Sequence, residues 1–142
     1  MTMSLLHVNQ MKIINWTLIL LFVVSTAHAS LSVKVDEPKI TGTKAVIKLA
    51  MTNSYSITIE SARAAVFLKD ETGKVIGQKA EWVIGGSKDK PALAPNTGGE
   101  YFLIVPADKP FQKADVIFTR IILEGGEVIP AGKGFQIMKP EK

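Results

Sequence analysis

The stretch Ala45–Asn53 (AVIKLAMTN) moves in steps of two: Ile47, Leu49 and Met51 fall on one side of an extended chain, Lys48, Ala50 and Thr52 on the other. A period of two suits a strand with one buried face, and helical spacing would scatter the same residues. The pattern continues on both sides. Leu31, Val33 and Val35 alternate with Ser32, Lys34 and Asp36, and Ala64, Val66 and Leu68 lie opposite Arg63, Ala65, Phe67 and Lys69 within Ala62–Asp70. Asp70-Glu71-Thr72-Gly73 supplies turn chemistry, with Gly73 placed for a positive φ. Lys74–Ile84 reads as the return strand, bent or bulged at Gly77.

A long polar connection, Gly85–Gly99, follows with Pro91 and Pro95 inside it. Strand character resumes at Tyr101–Val105 and stops at Pro106. Val116–Leu123 is apolar on both faces apart from Thr119 and Arg120, which suits a central strand. Glu124-Gly125-Gly126-Glu127 is a two-glycine hairpin signal, and Lys133–Met138 closes the chain with Phe135 and Ile137. No amphipathic helix, internal repeat or low-complexity tract interrupts this. About seven short strands predict an all-β fold, an immunoglobulin-like antiparallel β-sandwich, with a small barrel as the other all-β architecture.

Ahead of the strands, Met11–Ala29 has a basic start at Lys12, an apolar run from Ile13 to Val24, and small residues Ala27 and Ala29 before Ser30. That is the form of a cleaved secretory signal peptide. The apolar run is about twelve residues, short of the roughly 20 that span a bilayer. The expected organisation is a leader at 1–29 (with Met11 a second possible start), a sandwich at 30–138 and a tail at 139–142. The expected location is periplasmic or secreted, with no membrane span in the mature form. Without a cysteine near the cleavage site, a lipid-anchored form is excluded.

Removing the leader leaves 113 of 142 residues, enough for one domain, and takes one of the 17 basic residues and none of the 13 acidic ones, for a net +3. The basic residues are spread along the chain, unlike the stripe of a nucleic-acid binder. The leader also holds both histidines, His7 and His28, and cysteine is absent throughout. The mature chain therefore lacks the usual base for an activated serine and the usual zinc or copper ligands. Ser87 and Lys88 are adjacent in a loop, which does not make a dyad, since a lysine base must be buried to lose its proton. Gly85-Gly86-Ser87-Lys88 lacks the first glycine and spacing of a P-loop. The acidic turns at Asp70–Gly73 and Glu124–Glu127 lack the dense ligand spacing of a calcium loop. No enzyme, metal or cofactor is expected.

Residues 45–105 resemble the FxLYD-type domain, an immunoglobulin-like module of exported prokaryotic proteins. Asn53-Ser54 sits where that family has its Asn-x-Ser after the second strand, Val66-Phe67-Leu68-Lys69-Asp70 aligns with its naming motif (Leu68 and Asp70 matching), Gly73 with the turn glycine, and Leu93-Ala94-Pro95-Asn96 is similar to its Leu-x-Pro-Gly, with Phe102 in the strand beyond. Val66 replaces the first aromatic, Lys69 the tyrosine and Asn96 the glycine. The resemblance implies a non-catalytic adaptor or binding module and carries over no functional residue.

Recognition on a sandwich falls to end loops or an open strand edge. The candidate partner-binding residues are Trp82, Lys88, Lys90, Asn96 and Tyr101, in and around the long loop, with Trp82 reading first as a core anchor. A second candidate is the set Tyr101, Leu103 and Val105, taken as the outward face of its strand. The expected function is binding of a protein or cell-envelope component. The alternative is a secreted protease inhibitor presenting loops from one end, since Pro95-Asn96-Thr97-Gly98-Gly99 resembles the Asn-Pro-Thr-Thr-Gly loop of chagasin-like inhibitors.

Overall fold

The computed structural model describes residues 29–138. The leader (save Ala29) and the tail lie outside the described residues. Nine strands make up the fold: β1 (Leu31–Val35), β2 (Lys39–Thr41), β3 (Lys44–Asn53), β4 (Ile59–Lys69), β5 (Val75–Ile84), β6 (Gly98–Pro106), β7 (Lys113–Leu123), β8 (Val128–Ile129) and β9 (Phe135–Met138). They form two sheets. In the first, β3 is flanked by β6 on one side and by β1 and β2 in succession on the other, with β9 beyond β1. The second runs β5-β4-β7-β8. Among the described residues no helix is long and apolar enough to cross a membrane.

The alternation read from the sequence becomes the core. Ile47, Leu49 and Met51 of β3 face Ala64, Val66 and Leu68 of β4 across the gap between the sheets, joined by Leu31, Val33, Leu103, Val105, Phe118 and Ile121. Burying each large aliphatic or aromatic side chain contributes about 1.5–3 kcal/mol. Phe118 is fully buried and packs 5.2 Å from the ring of Phe135, which ties β9 to the second sheet.

Four expectations need correction. The seven predicted strands are all present, but β2 and β8 are additional; at three and two residues they are too short to show a period. The sheets are not wholly antiparallel, because β9 runs parallel to β1, Leu31 opposite Phe135. The turn at Gly132–Gly134 sets this direction. The Gly134 carbonyl accepts from Leu31 N and from the Tyr55 hydroxyl, both at 2.9 Å. Gly134 has φ +78°, and a Cβ there would strike that hydroxyl and Ile129.

The third correction is the facing of β6. Leu103 and Val105 are fully buried, and Phe102 and Ile104 point outward instead. Register with β3 decides this: Tyr101, Leu103 and Val105 lie opposite inward Leu49, Ile47 and Ala45. Fourth, Trp82 is not a core anchor. It is half-buried on the outer face of the second sheet, cross-strand from Arg63. The bulge expected at Gly77 is present as an extra residue, Ile76, between the pairs Leu68–Gly77 and Lys69–Val75.

Candidate functional site

Among the described residues the two sheets have five outer strands, β2, β6 and β9 in the first and β5 and β8 in the second, and four of them are short or bulged. β8 is two residues long and followed by Pro130, β2 is three residues long, and the described part of β9 is four residues. β5 is long but carries two register shifts against β4, with Lys79 and Glu81 opposite the inward-facing Val66 and Ala64. Bulges and inward charges are ways of keeping an edge from pairing with another chain. β6 has neither. Its nine residues pair with β3 in one uninterrupted register, and its one charged residue is Glu100.

The hydrogen bonds at the ends of the β3–β6 pair set its phase. Asn53 N donates to Thr97 O at 3.0 Å, and Ala107 N donates to Thr43 O at 2.7 Å. Antiparallel ladders alternate, so the odd-numbered residues of β6 exchange hydrogen bonds with β3. Glu100, Phe102 and Ile104 therefore turn their N–H and C=O groups to the free edge. Phe102 and Ile104 are also 53% and 46% exposed, so apolar side chains and unpaired backbone coincide on one margin. Glu100 is held by Lys48 at 3.2 Å, which in turn reaches Asp36 at 3.9 Å. Beside Phe102 lies a cleft of about 210 Å³ between Val46 and Lys39. Pro106 ends the strand, its carbonyl so near β5 that a Cβ on Gly77 would lie 2.7 Å from it.

The long loop is more tied down than its composition suggests. Asn53 is fully buried; its amide donates to Leu93 O at 2.9 Å and Ile57 O at 3.0 Å, and its Oδ1 accepts from Tyr55 N at 2.8 Å. The Asn53 carbonyl accepts from Asn96 N at 2.8 Å, and Leu93 and Ile59 exchange two backbone bonds. Residues Pro95–Gly99 accordingly do not project: Thr97 bonds back to Ala94, and Gly98 and Gly99 already belong to β6. Asn96 has φ +58°, a left-handed conformation asparagine tolerates better than most residues.

The sequence-predicted site residues separate into groups. Lys90 Nζ lies 4.8 Å from the centroid of the Tyr101 ring, and hydrogen bonding with Tyr101 is the main reason its ammonium is held above the usual lysine range. Tyr101 packs on the margin of the core, so this pair clasps the loop to β6. Lys90 and Trp82 line a common cleft of about 340 Å³ with Arg63 and Glu81. Lys88, in the tight turn where Lys90 N donates to Ser87 O, and Asn96 are exposed and stand apart from it. Sequence reasoning missed Phe102 and Ile104. Beginning the strand at Tyr101 left out Glu100, whose charge marks the even-numbered positions as the solvent face.

No protein-family model matches the sequence, and no curated protein does. Among solved structures the fold is similar to that of a candidate ApaA protein from Bordetella pertussis, with a TM-score of 0.51 and 18% identity over 75% of this chain and 92% of that one. It is similar too to IrmA from Escherichia coli, with a TM-score of 0.51 and 12% identity over 81% of this chain and 96% of that one. At these identities the likeness is one of fold.

Proposed function

We propose that the chain is an exported, non-enzymatic binding module that captures a polypeptide of the cell envelope by adding it as a strand to β6. The leader read at 1–29 makes it periplasmic or secreted. The observation that carries the reading is the β6 margin: a long, unbulged edge on which free backbone donors and acceptors sit beside exposed Phe102 and Ile104. Strand addition uses main-chain bonds for affinity and alternate side chains for specificity. The sandwich is of the immunoglobulin-like kind implied by the FxLYD resemblance. In support, the chain crosses between the sheets after β3, β5, β6 and β8, Asn53 is pinned at the end of β3, and Gly73 takes a positive φ in the turn after β4. Protease inhibition would use the turns at Gly85–Gly86 and Gly125–Gly126. Both lie at the start of β4, the first against Ser61 and the second after Glu124, which donates to Thr58.

The test compares capture from envelope extract by mature Ser30–Lys142, by Ile104→Pro, and by a variant with Lys88–Pro95 replaced by a short Gly/Ser linker. Proline at 104 removes a donor facing the free edge and leaves the bonds to β3 in place. Loss of a specific partner with Ile104→Pro alone supports the edge. Loss with the linker variant alone moves the site to the loop.

A further inference from the structure

A second surface, away from β6, is built around Arg63. This residue is on β4, the inner strand of its sheet, with Trp82 of β5 directly across on one side and Arg120 of β7 directly across on the other. Both neighbours reach that row through a bulge. Val83 is the extra residue between the pairs Ala62–Ile84 and Arg63–Trp82, and Thr119 is the extra residue between Arg63–Arg120 and Ala64–Phe118. Without these insertions the period of two, counted from buried Ile84 and Phe118, would turn Trp82 and Arg120 toward the core. Bulges re-aim side chains and gather next to functional sites. Here two of them, on different strands, aim at the same residue.

The row is also electrically uncompensated. Like charges directly opposite on neighbouring strands repel, and among the described residues no carboxylate lies within 4.0 Å of either guanidinium. Asp115 on the same face is engaged by Lys69 at 2.7 Å and Lys113 at 3.4 Å, and Glu81 lies at the β5 rim by Lys90. Arg63, Trp82, Thr119 and Arg120 line a cleft of about 500 Å³, and the neighbouring row beneath it is floored by the small side chains Ala65 and Ala80.

We propose that this face binds a carboxylate-bearing saccharide, its carboxylate between Arg63 and Arg120 and the flat face of its sugar ring on Trp82. Arg63 and Arg120 stand directly opposite on adjacent strands, about 4.8 Å apart, and both line the cleft, so their two forks can reach one planar two-oxygen group, the partner arginine matches best. A polypeptide is disfavoured at this spot because β4 is paired on both sides and offers no main-chain groups for strand addition. Recognition here rests on side chains alone: two cations, an indole and a shallow apolar floor.

The test is calorimetric titration of the purified protein with oligogalacturonate, oligoglucuronate and alginate oligomers, with a neutral methyl-esterified oligogalacturonate and polyglutamate as comparisons. Saturable binding of at least one uronate is expected, weakened at least tenfold in Arg63→Gln, Arg120→Gln and Trp82→Ala, and lost with the ester. Ile104→Pro leaves it unchanged within twofold, which separates this site from the β6 edge. Thermal unfolding of each variant confirms that the fold is retained, and Arg63→Lys, keeping charge without the fork, falls between wild type and Arg63→Gln. Absence of binding by all three uronates overturns the proposal, as does binding indifferent to the arginine substitutions. Polyglutamate binding as tightly as the best uronate overturns the saccharide assignment in favour of an acidic peptide.

Discussion

Edges β5 and β6 lie on the same side of the molecule and differ in nearly every respect that governs pairing. β5 is bent by its bulges, turns Lys79 and Glu81 toward the inner face, and nestles Gly77 against the end of β6. β6 is straight in register, carries apolar side chains at the margin, and begins at a hydrogen-bonded knot around Asn53. The contrast teaches that edge protection in this chain is selective. One long edge is defended by several devices at once, and the other is left with only Pro106 at its end.

The largest effect is expected from breaking the knot that positions the start of β6. Asn53→Ala removes two donated bonds and one accepted bond in a buried setting, and a loss of about 3 kcal/mol is expected in urea denaturation. Next comes the contact between the two edges. Gly77→Val places a Cβ against the Pro106 carbonyl, with an expected cost of about 2 kcal/mol. Erasing the difference between the edges is the sharper experiment. Lys79→Val with Glu81→Val changes stability by about 0.5 kcal/mol or less and gives β5 an apolar edge, so sedimentation velocity should show new self-association. Sedimentation unchanged from wild type would mean that the bulges alone protect β5.

The smallest expected effect is a pH dependence. Hydrogen bonding to Lys69, with a smaller contribution from Lys113, holds the Asp115 carboxyl below the usual carboxylate range. A depressed carboxylate pKa gives stability that is full above the unfolded value, about 3.9, and is lost as pH falls through the lower folded value. With both lysines partly exposed, about 0.5–1 kcal/mol is expected from this group. Asp115→Asn should flatten that part of the acid limb in thermal melts from pH 5 to 2.

The legible part of the sequence was the part with a clean period. β1, β3 and β4 alternate, and their buried faces are the ones expected. Val116–Leu123 was legible as a central strand because both its faces are apolar. Where both parities were apolar, as in Tyr101–Val105, period within that window could not choose a face; the charge of Glu100 just before it marks the solvent side, and the register with β3 sets it. Trp82 failed for a different reason: a bulge shifts parity by one, and nothing local in Glu81-Trp82-Val83-Ile84 announces it. The loop was legible as long and polar but not as pinned, because its restraint comes from Asn53, 40 residues away from Leu93.

The parallel pairing of β9 with β1 has a kinetic meaning. Leu31 and Phe135 are neighbours although over a hundred residues separate them, so the first sheet cannot be completed until nearly the whole described chain is present. Such long-range pairing slows folding. Until β9 arrives, the outer side of β1 is itself an open edge, and an incompletely made chain has two such margins on one sheet where the finished one leaves β6 alone at full length.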